Sequence, residues 1–254
     1  MQVKEQMKNL GICVIVPTYN NSGTLQSVID SCLEWTPFLV IVNDGSTDNT
    51  GHLLSFYADN EAVEVVGYSQ NKGKGHALRV GFAYARSKGF RYAITIDADG
   101  QHFASDIPVF VKAIMDTPDA LVIGSRDITA KNMPAGNTFA NKFSNFWFKV
   151  QTCKSLPDTQ TGYRLYPLKQ MGTMWWITSR YEAELEMLVF AAWHGIKLVP
   201  VSINVYYPPV GERVSHFRPG MDFFRISVLN TVLCVLAVLY GGPRMLISRI
   251  FFKK

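Results

Sequence analysis

Five short apolar runs rich in β-branched residues punctuate the first half of the chain: ICVIV (12 to 16), FLVIV (38 to 42), AVEVV (62 to 66), YAITI (92 to 96) and ALVIG (120 to 124). Runs of this length closed by turn residues read as buried strands. Between them the spacing becomes helical. With Asn21 or Ser22 as a cap, Leu25, Val28, Ile29, Cys32 and Leu33 fall on one apolar face. Further helices are predicted through Leu53 and Leu54 and from about His76 to Lys88. Strand and helix in alternation imply an α/β fold, a mostly parallel sheet with helices on both faces. Ligands of such sheets collect outside the carboxyl ends of the strands, so PTYN, NDGSTDNT and DADGQH should converge on one crevice.

Several classes of function fall away. No GxGxxG follows the first strand and no GxxxxGK[ST] occurs, which disfavours a dinucleotide oxidoreductase and a P-loop NTPase. The four cysteines are scattered without zinc spacing and are expected to be reduced. The opening MQVKEQMKNL lacks the apolar core of a secretory signal, so the catalytic part is expected in the cytoplasm.

Beyond residue 130 the pattern predicts a helix at 138 to 151, the loop SLPDTQTGYRLYP, and a helix at 181 to 193 ending at Gly195. KLVPVSINVYY and PPVGERVSHFRP are read as additions walling the crevice, giving one domain (1–225) and a membrane-associating tail (226–254). Residues 226 to 243 carry no charge, and their length is the lower edge for a bilayer span, although a buried core helix shares that composition. Ser227, Asn230, Thr231 and Cys234 form a polar stripe if the segment is helical. Gly241, Gly242 and Pro243 should break it, and RMLISRIFFKK reads as an interfacial anchor. The net charge of +5 lies wholly in residues 211 to 254, which hold seven Lys or Arg against two acids. That placement suits anionic lipid headgroups better than nucleic acid.

The sharpest chemical signal is Asp97, Ala98, Asp99, Gly100 and Gln101 after a buried strand. Two carboxylates so placed are costly unless a cation offsets them, and hard oxygen ligands favour Mg2+ or Mn2+ over zinc; the plainer alternative is a solvated turn. Asp44 in NDGSTDNT has the chemistry to accept from a nucleobase or ribose, with Thr47 or Asp48 capping the next helix. In NKGKG the glycines admit close backbone approach, while Lys72 or Lys74 can offset diphosphate charge.

Taken in order, VIVPTYN, VNDGSTDNT, NKGKGHAL, IDADGQH and VIGSR resemble the nucleotide-sugar half of family 2 glycosyltransferases, across roughly residues 11 to 130. DTQTGYRLYP, RYEAELEML and PVGERVSHF are similar to the dolichyl-phosphate mannose synthase and polyprenyl glycosyltransferase branch. The resemblance implies a GT-A fold, inversion at the anomeric carbon and a donor diphosphate held by a metal on Asp97, Asp99 and Gln101. It places Pro17, Tyr19, Asp44, Lys72, Lys74 and Ala98 around the nucleotide sugar, and Arg126 and Arg213 on phosphate. Where that branch carries an arginine and, four residues on, a serine gripping acceptor phosphate, this chain has Asn137 and Asn141. The expected acceptor is therefore a lipid hydroxyl as well as a polyprenyl phosphate, with a soluble or polymeric glycan, or nucleotide-sugar binding without catalysis, as the alternatives. A hydroxyl acceptor needs a general base, and Asp158 and Glu184 are equal candidates, Glu182 and Glu186 pointing elsewhere on the same helix. His102 and His216 also approach the diphosphate in this reading, though a structural role suits each alone. The expected setting is the cytoplasmic face of the cell membrane.

Overall fold

The computed structural model describes residues 2–127, 135–172, 174, 176–207 and 219–251, without the side chains of 135–138, 219 and 248–251. The apolar runs form strands β1 (Ile12–Thr18), β2 (Leu39–Asp44), β3 (Val63–Tyr68), β4 (Tyr92–Thr95) and β5 (Leu121–Ser125), joined by β6 (Arg164–Pro167) and β7 (Leu198–Ser202). They make one seven-stranded sheet in the order β3-β2-β1-β4-β6-β5-β7. Every pairing is parallel except those of β6, which runs antiparallel to both β4 and β5. The predicted fold class is therefore observed, with one inverted strand inside the sheet.

Because side chains alternate across a strand, the unbroken apolar runs supply two cores. Cys13, Ile15, Val40 and Val42 pack beneath α4 (Lys74–Ser87) and α8 (Glu182–Trp193). Ile12, Val14, Val16, Leu39 and Ile41 pack on the other face beneath α2 (Leu25–Trp35) and α5 (Ile107–Asp116), with Met7 of α1 (Gln2–Leu10). The short helix α3 (Thr50–Ser55) joins this second layer through Leu54, whereas α7 (Leu168–Met171) and the longer α6 (Ala135–Thr152) join the first through Leu168, Met171 and Phe148.

Three local expectations are corrected. The cap of α2 is Thr24 rather than Asn21 or Ser22: the Asn21 carbonyl closes a turn onto the Thr24 and Leu25 amides at 3.1 and 2.9 Å. Thr24 instead donates its hydroxyl to the Ala98 carbonyl at 2.6 Å, tying α2 to the carboxyl end of β4. The second correction is β6, which occupies the end of the segment predicted as a loop. The third concerns the tail. Gly241, Gly242 and Pro243 do not break it: α9 (Pro219–Leu236) passes through a π-helical turn at Ala237–Gly241 into α10 (Gly242–Phe251). Pro243 follows directly on the π-helical turn, where the Gly242 amide bonds the Ala237 carbonyl and the regular ladder that a proline would interrupt is already displaced. Gly241 is required because a Cβ there would strike the Trp193 indole.

Residues 220 to 247 are long and apolar enough to cross a membrane, with mean hydropathy 2.0 and only 17% of the most apolar window buried. That exposure rules out the buried core helix that composition alone allowed. Of the polar stripe, Asn230 is buried against the domain, accepting from Gln151 at 2.9 Å, whereas Thr231 is exposed.

Candidate active site

The site is built at the carboxyl end of β4. Strand pairing continues as far as Ile96, whose amide reaches the Ile15 carbonyl at 3.1 Å, so Asp97 and Asp99 emerge where the sheet ends. Gly100 takes φ +74, a left-handed turn that suits glycine, and lets the Gln101 amide cap Asp99 Oδ1 at 3.0 Å.

Lys74, the first residue of α4, reaches back over this turn. Its Nζ lies 2.6 Å from Asp97 Oδ1 and 2.9 Å from Glu184 Oε2, and Glu184 stands in the first turn of α8. Burial opposes the charge on Lys74, but Asp97 and Glu184 outweigh it and hold the ammonium above its ordinary range. Burial likewise opposes ionisation of Asp97, and Lys74, His102 and Arg164 together keep its carboxyl below the usual range. For Asp99 the balance reverses: burial and then the charge of Asp97 outweigh the Gln101 amide and Lys74 and push it up to about 6. His102, buried beside Tyr163, is lowered by burial to about 4. Gly162 is the floor of the cluster. Thr95 holds its carbonyl at 2.6 Å, and a Cβ there would lie 2.5 Å from Lys74 Nζ and 2.7 Å from Asp97 Oδ2.

A second cluster gathers around Asp158, which is fully buried. Arg126, just past β5, meets it with a two-pronged fork, Nε at 2.6 Å and Nη2 at 3.0 Å. Asn141 of α6 and the Gln160 amide donate to Oδ1 at 2.5 and 3.0 Å, and the Arg126 amide to Oδ2 at 3.3 Å. Burial would raise this carboxyl, but the Arg126 bonds and the remaining donors hold it below the ordinary carboxylate value. A base so saturated has no lone pair aimed at a substrate. The charges of Asp97, Arg126, Lys74 and Asp158 all act on His102, so both clusters lie within its electrostatic reach.

The third part is the floor at the ends of β1 and β2. Asp44 accepts from Asn71 Nδ2 at 3.0 Å and from the Lys72 and Gly73 amides at 2.7 and 2.9 Å, so it fastens the glycine-rich turn. Gly73, at φ +96, lies against the Ser179 carbonyl, where any side chain would collide. Lys72 lies over the Tyr68 ring at 5.2 Å. Pro17 is buried within β1, and Tyr19 is half-buried just beyond it. Asn20 holds the Thr47 and Asp48 amides at 2.8 and 3.3 Å, which stiffens the neighbouring turn.

The structure thus brings Lys74, Asp97, Asp99, Ala98 and Glu184 together, sets Arg126 and Asp158 beside them, and places Asp44, Lys72, Pro17 and Tyr19 along the floor. Gln101 is fixed through its backbone, its carbonyl accepting from the Tyr206 amide at 2.9 Å. Glu186 instead caps the Ile177 and Thr178 amides, each at 2.9 Å. Arg213, His216 and the side chain of Asn137 lie outside the described residues.

One participant escapes sequence reasoning. Arg164 is fully buried and spends its guanidinium on the carbonyls of Thr161, Glu184 and Thr159 at 2.8, 2.7 and 2.9 Å. It braces the Asp158–Gly162 segment against α8. The only hint is an arginine within an apolar LYP context, which sequence cannot separate from a surface residue.

Two carboxylates with a neighbouring amide oxygen fit a divalent ion of the magnesium type, which commonly takes one or two carboxylates and draws its remaining ligands from substrate phosphates and water. Among the described residues no cluster of three or more His, Cys, Asp or Glu side chains forms a self-sufficient metal cage, so a metal here would share its shell with its ligand.

Residues 13–167 match the model of glycosyl transferase family 2. Among curated relatives, dolichyl-phosphate beta-glucosyltransferase ALG5A of Trichomonas vaginalis is 30% identical over 245 residues, covering 87% of this chain and 74% of that protein. UDP-N-acetylglucosamine–dolichyl-phosphate N-acetylglucosaminyltransferase of Methanococcus voltae is 27% identical, covering 86% of this chain and 96% of that one. The solved glucosyl-3-phosphoglycerate synthase of Mycobacterium tuberculosis, in complex with Mn2+, UDP and glucosyl-3-phosphoglycerate, superposes with a TM-score of 0.63 at 18% identity, over 94% of this chain and 82% of that one. At that identity the likeness concerns the fold.

Proposed function

Because the chain belongs to glycosyl transferase family 2, we propose that it transfers a sugar, with inversion, from a nucleoside diphosphate donor to a lipid-borne phosphate at the cytoplasmic face of the cell membrane. The observation that carries this reading is the meeting of Asp97, Asp99 and Lys74 at the carboxyl end of β4, beside the Arg126 fork. Carboxylates and cations in one crevice suit a diphosphate that arrives with a divalent ion.

In this reading Pro17, Tyr19, Asp44 and Lys72 hold the nucleotide, and Asp97, Asp99 and Gln101 hold Mg2+ or Mn2+. The bound ion would offset negative charge on the diphosphate as it leaves. The solved relative that carries Mn2+ with UDP supports the assignment. Lys74 swings from Asp97 toward the diphosphate once that charge arrives, and Arg126 and Arg213 face phosphate oxygens. An acceptor oxygen attacks the anomeric carbon from the face opposite the diphosphate, and the electron pair of the breaking carbon–oxygen bond leaves with the diphosphate. Preorganised cations lower the barrier because they favour the charge of the departing group.

The acceptor follows from Asp158. A hydroxyl needs a base, and this candidate is occupied by Arg126, Asn141 and Gln160, while Glu184 spends Oε2 on Lys74 and has Oε1 buried against Gly162. A phosphate acceptor is already an anion and needs none. The dolichyl-phosphate relatives point the same way. Asp158 is then a positioning residue for Arg126. Residues 1–225 form the catalytic unit in this reading, and 226–254 associate with the membrane.

Radiolabelled nucleotide sugars offered with Mn2+ and a polyprenyl phosphate should yield label in the organic phase, released by mild acid as expected of a glycosyl phosphate. Chelation or Asp99→Asn should abolish transfer without unfolding the protein. Full turnover by Asp99→Asn, or label that resists mild acid, would contradict the proposal.

A further inference from the structure

Helix α6 is amphipathic in the reverse sense for a helix in water. At about 100° per residue, Phe139, Phe143, Phe146, Trp147 and Val150 share one arc of the helix. Asn141, Ser144, Gln151 and Thr152 lie opposite, and all four are buried. The polar side faces the protein: Asn141 donates to Asp158, Ser144 shares a hydroxyl bond with Thr159 at 2.7 Å, and Gln151 donates to Asn230. The apolar side faces out, with Phe139 67%, Phe146 58% and Val150 49% exposed.

This surface does not stop at α6. Phe143 packs on Phe223 of α9 with ring centroids 5.7 Å apart, and α9 then exposes Phe224, Val228 and Val232. The two helices present adjoining apolar faces, crossed on α9 by Ser227 and Thr231, whose hydroxyls donate back to the Phe223 and Ser227 carbonyls, and together larger than the isolated apolar side chains normal on soluble surfaces. Lys142 and Lys149, both exposed, lie one after the other along one edge of the α6 arc. Cations on long apolar stems in that position reach phosphate headgroups while their stems lie on acyl chains.

We infer that α6 and α9 together form a lipid-contacting platform, with α6 lying in the interfacial layer of the bilayer beside the tail rather than in water. A bilayer is favoured over a second copy of this chain because the surface joins, at Phe143 and Phe223, a helix long and apolar enough to cross a membrane, and because its edge is cationic. The inference rests on the reading of a lipid-borne acceptor and deepens it. The helix that holds Asp158, and through it Arg126, is itself the floor on the membrane, so a lipid phosphate has only about one helix diameter, 10 Å, to climb.

The test uses the full chain with vesicles of mixed phosphatidylcholine and phosphatidylglycerol. The photoreactive residue p-benzoylphenylalanine replaces Phe146 in one preparation and Val232 in another. Lipid adducts at both positions are expected. A lipid adduct at 232 with none at 146 overturns the inference and leaves the lipid acceptor standing. A cross-linked dimer through 146 also overturns it and makes the face an interface between copies. No adduct at either position, with no protein on the vesicles, removes the inference and the lipid-acceptor reading together. In parallel, the double variant Phe139→Gln with Phe146→Gln should bind vesicles roughly tenfold more weakly while keeping its melting temperature. Unchanged vesicle binding overturns the inference.

Discussion

A methyl group added at Gly162 would enter the middle of the charged cluster. In Gly162→Ala the new Cβ meets Lys74 Nζ at 2.5 Å, Asp97 Oδ2 at 2.7 Å and Glu184 Oε1 at 3.0 Å. Comfortable contact needs about 3.5 Å, so the three tips must retreat by about 0.5 to 1 Å, Lys74 the furthest. All three are free ends of side chains rather than main chain, so the fold should yield at a cost below about 1 kcal/mol, partly offset by the lower chain entropy of alanine. Catalysis has no such tolerance. A displacement of about 1 Å at the reacting groups costs on the order of 100-fold in rate, about 3 kcal/mol in activation free energy. Gly75→Ala is the control, because its Cβ would meet Ala183 and the main chain of Ser179 and Arg180, where α4 crosses α8. There the helices must part, and a stability loss of about 1–3 kcal/mol is expected. Urea melts and kcat/KM for transfer, measured on both variants, separate the two effects. If Gly162→Ala keeps kcat/KM within about threefold of the parent, or loses as much stability as Gly75→Ala, the described geometry of the cluster is wrong.

Two further outcomes are expected. The folded-state pKa of Asp158 is depressed, so its contribution to stability is present above the unfolded value near 3.9 and is lost as pH falls through the lower folded value. Asp158→Asn, which leaves Arg126 without its buried partner, should therefore cost about 3 kcal/mol at pH 7, and the gap to the parent should narrow below about pH 4; an equal gap in urea melts at pH 7 and pH 3 contradicts this. Gly241→Val drives a side chain into the Trp193 indole and should lever the C-terminal helix off α8, making the tail about tenfold more sensitive to limited proteolysis, whereas unchanged cleavage would place Trp193 elsewhere.

The parallel frame was legible in the chain because each strand needs only a short apolar run, and β-branched residues in ICVIV and FLVIV supply it without competition from helical spacing. Asp97, Asp99 and Asp44 were legible for the same reason, since a carboxylate directly after such a run can only emerge at the sheet end. What joins them was not. Lys74 and Glu184 come from helices 110 positions apart, and no local pattern encodes their ion pair. Asp158 illustrates the limit differently. Its residue type fits a base, a cap or a clamp equally, and only the directions of Arg126 and Asn141 choose the clamp. Strand β6 was hidden because four residues beginning with an arginine carry too little periodicity, and that arginine is neutralised by carbonyls scattered over the loop and α8.

That inverted strand also constrains the order in which the sheet can close. It is sandwiched between β4 and β5, yet it is synthesised after both, with α6 emerging in between. The nascent sheet must therefore keep a vacant slot with two unpaired edges until residues 164 to 167 arrive, a state that invites intermolecular pairing. Closing the slot delivers Gly162 under Asp97, and only then can α8 dock with the Glu184 that completes the pairing of Lys74.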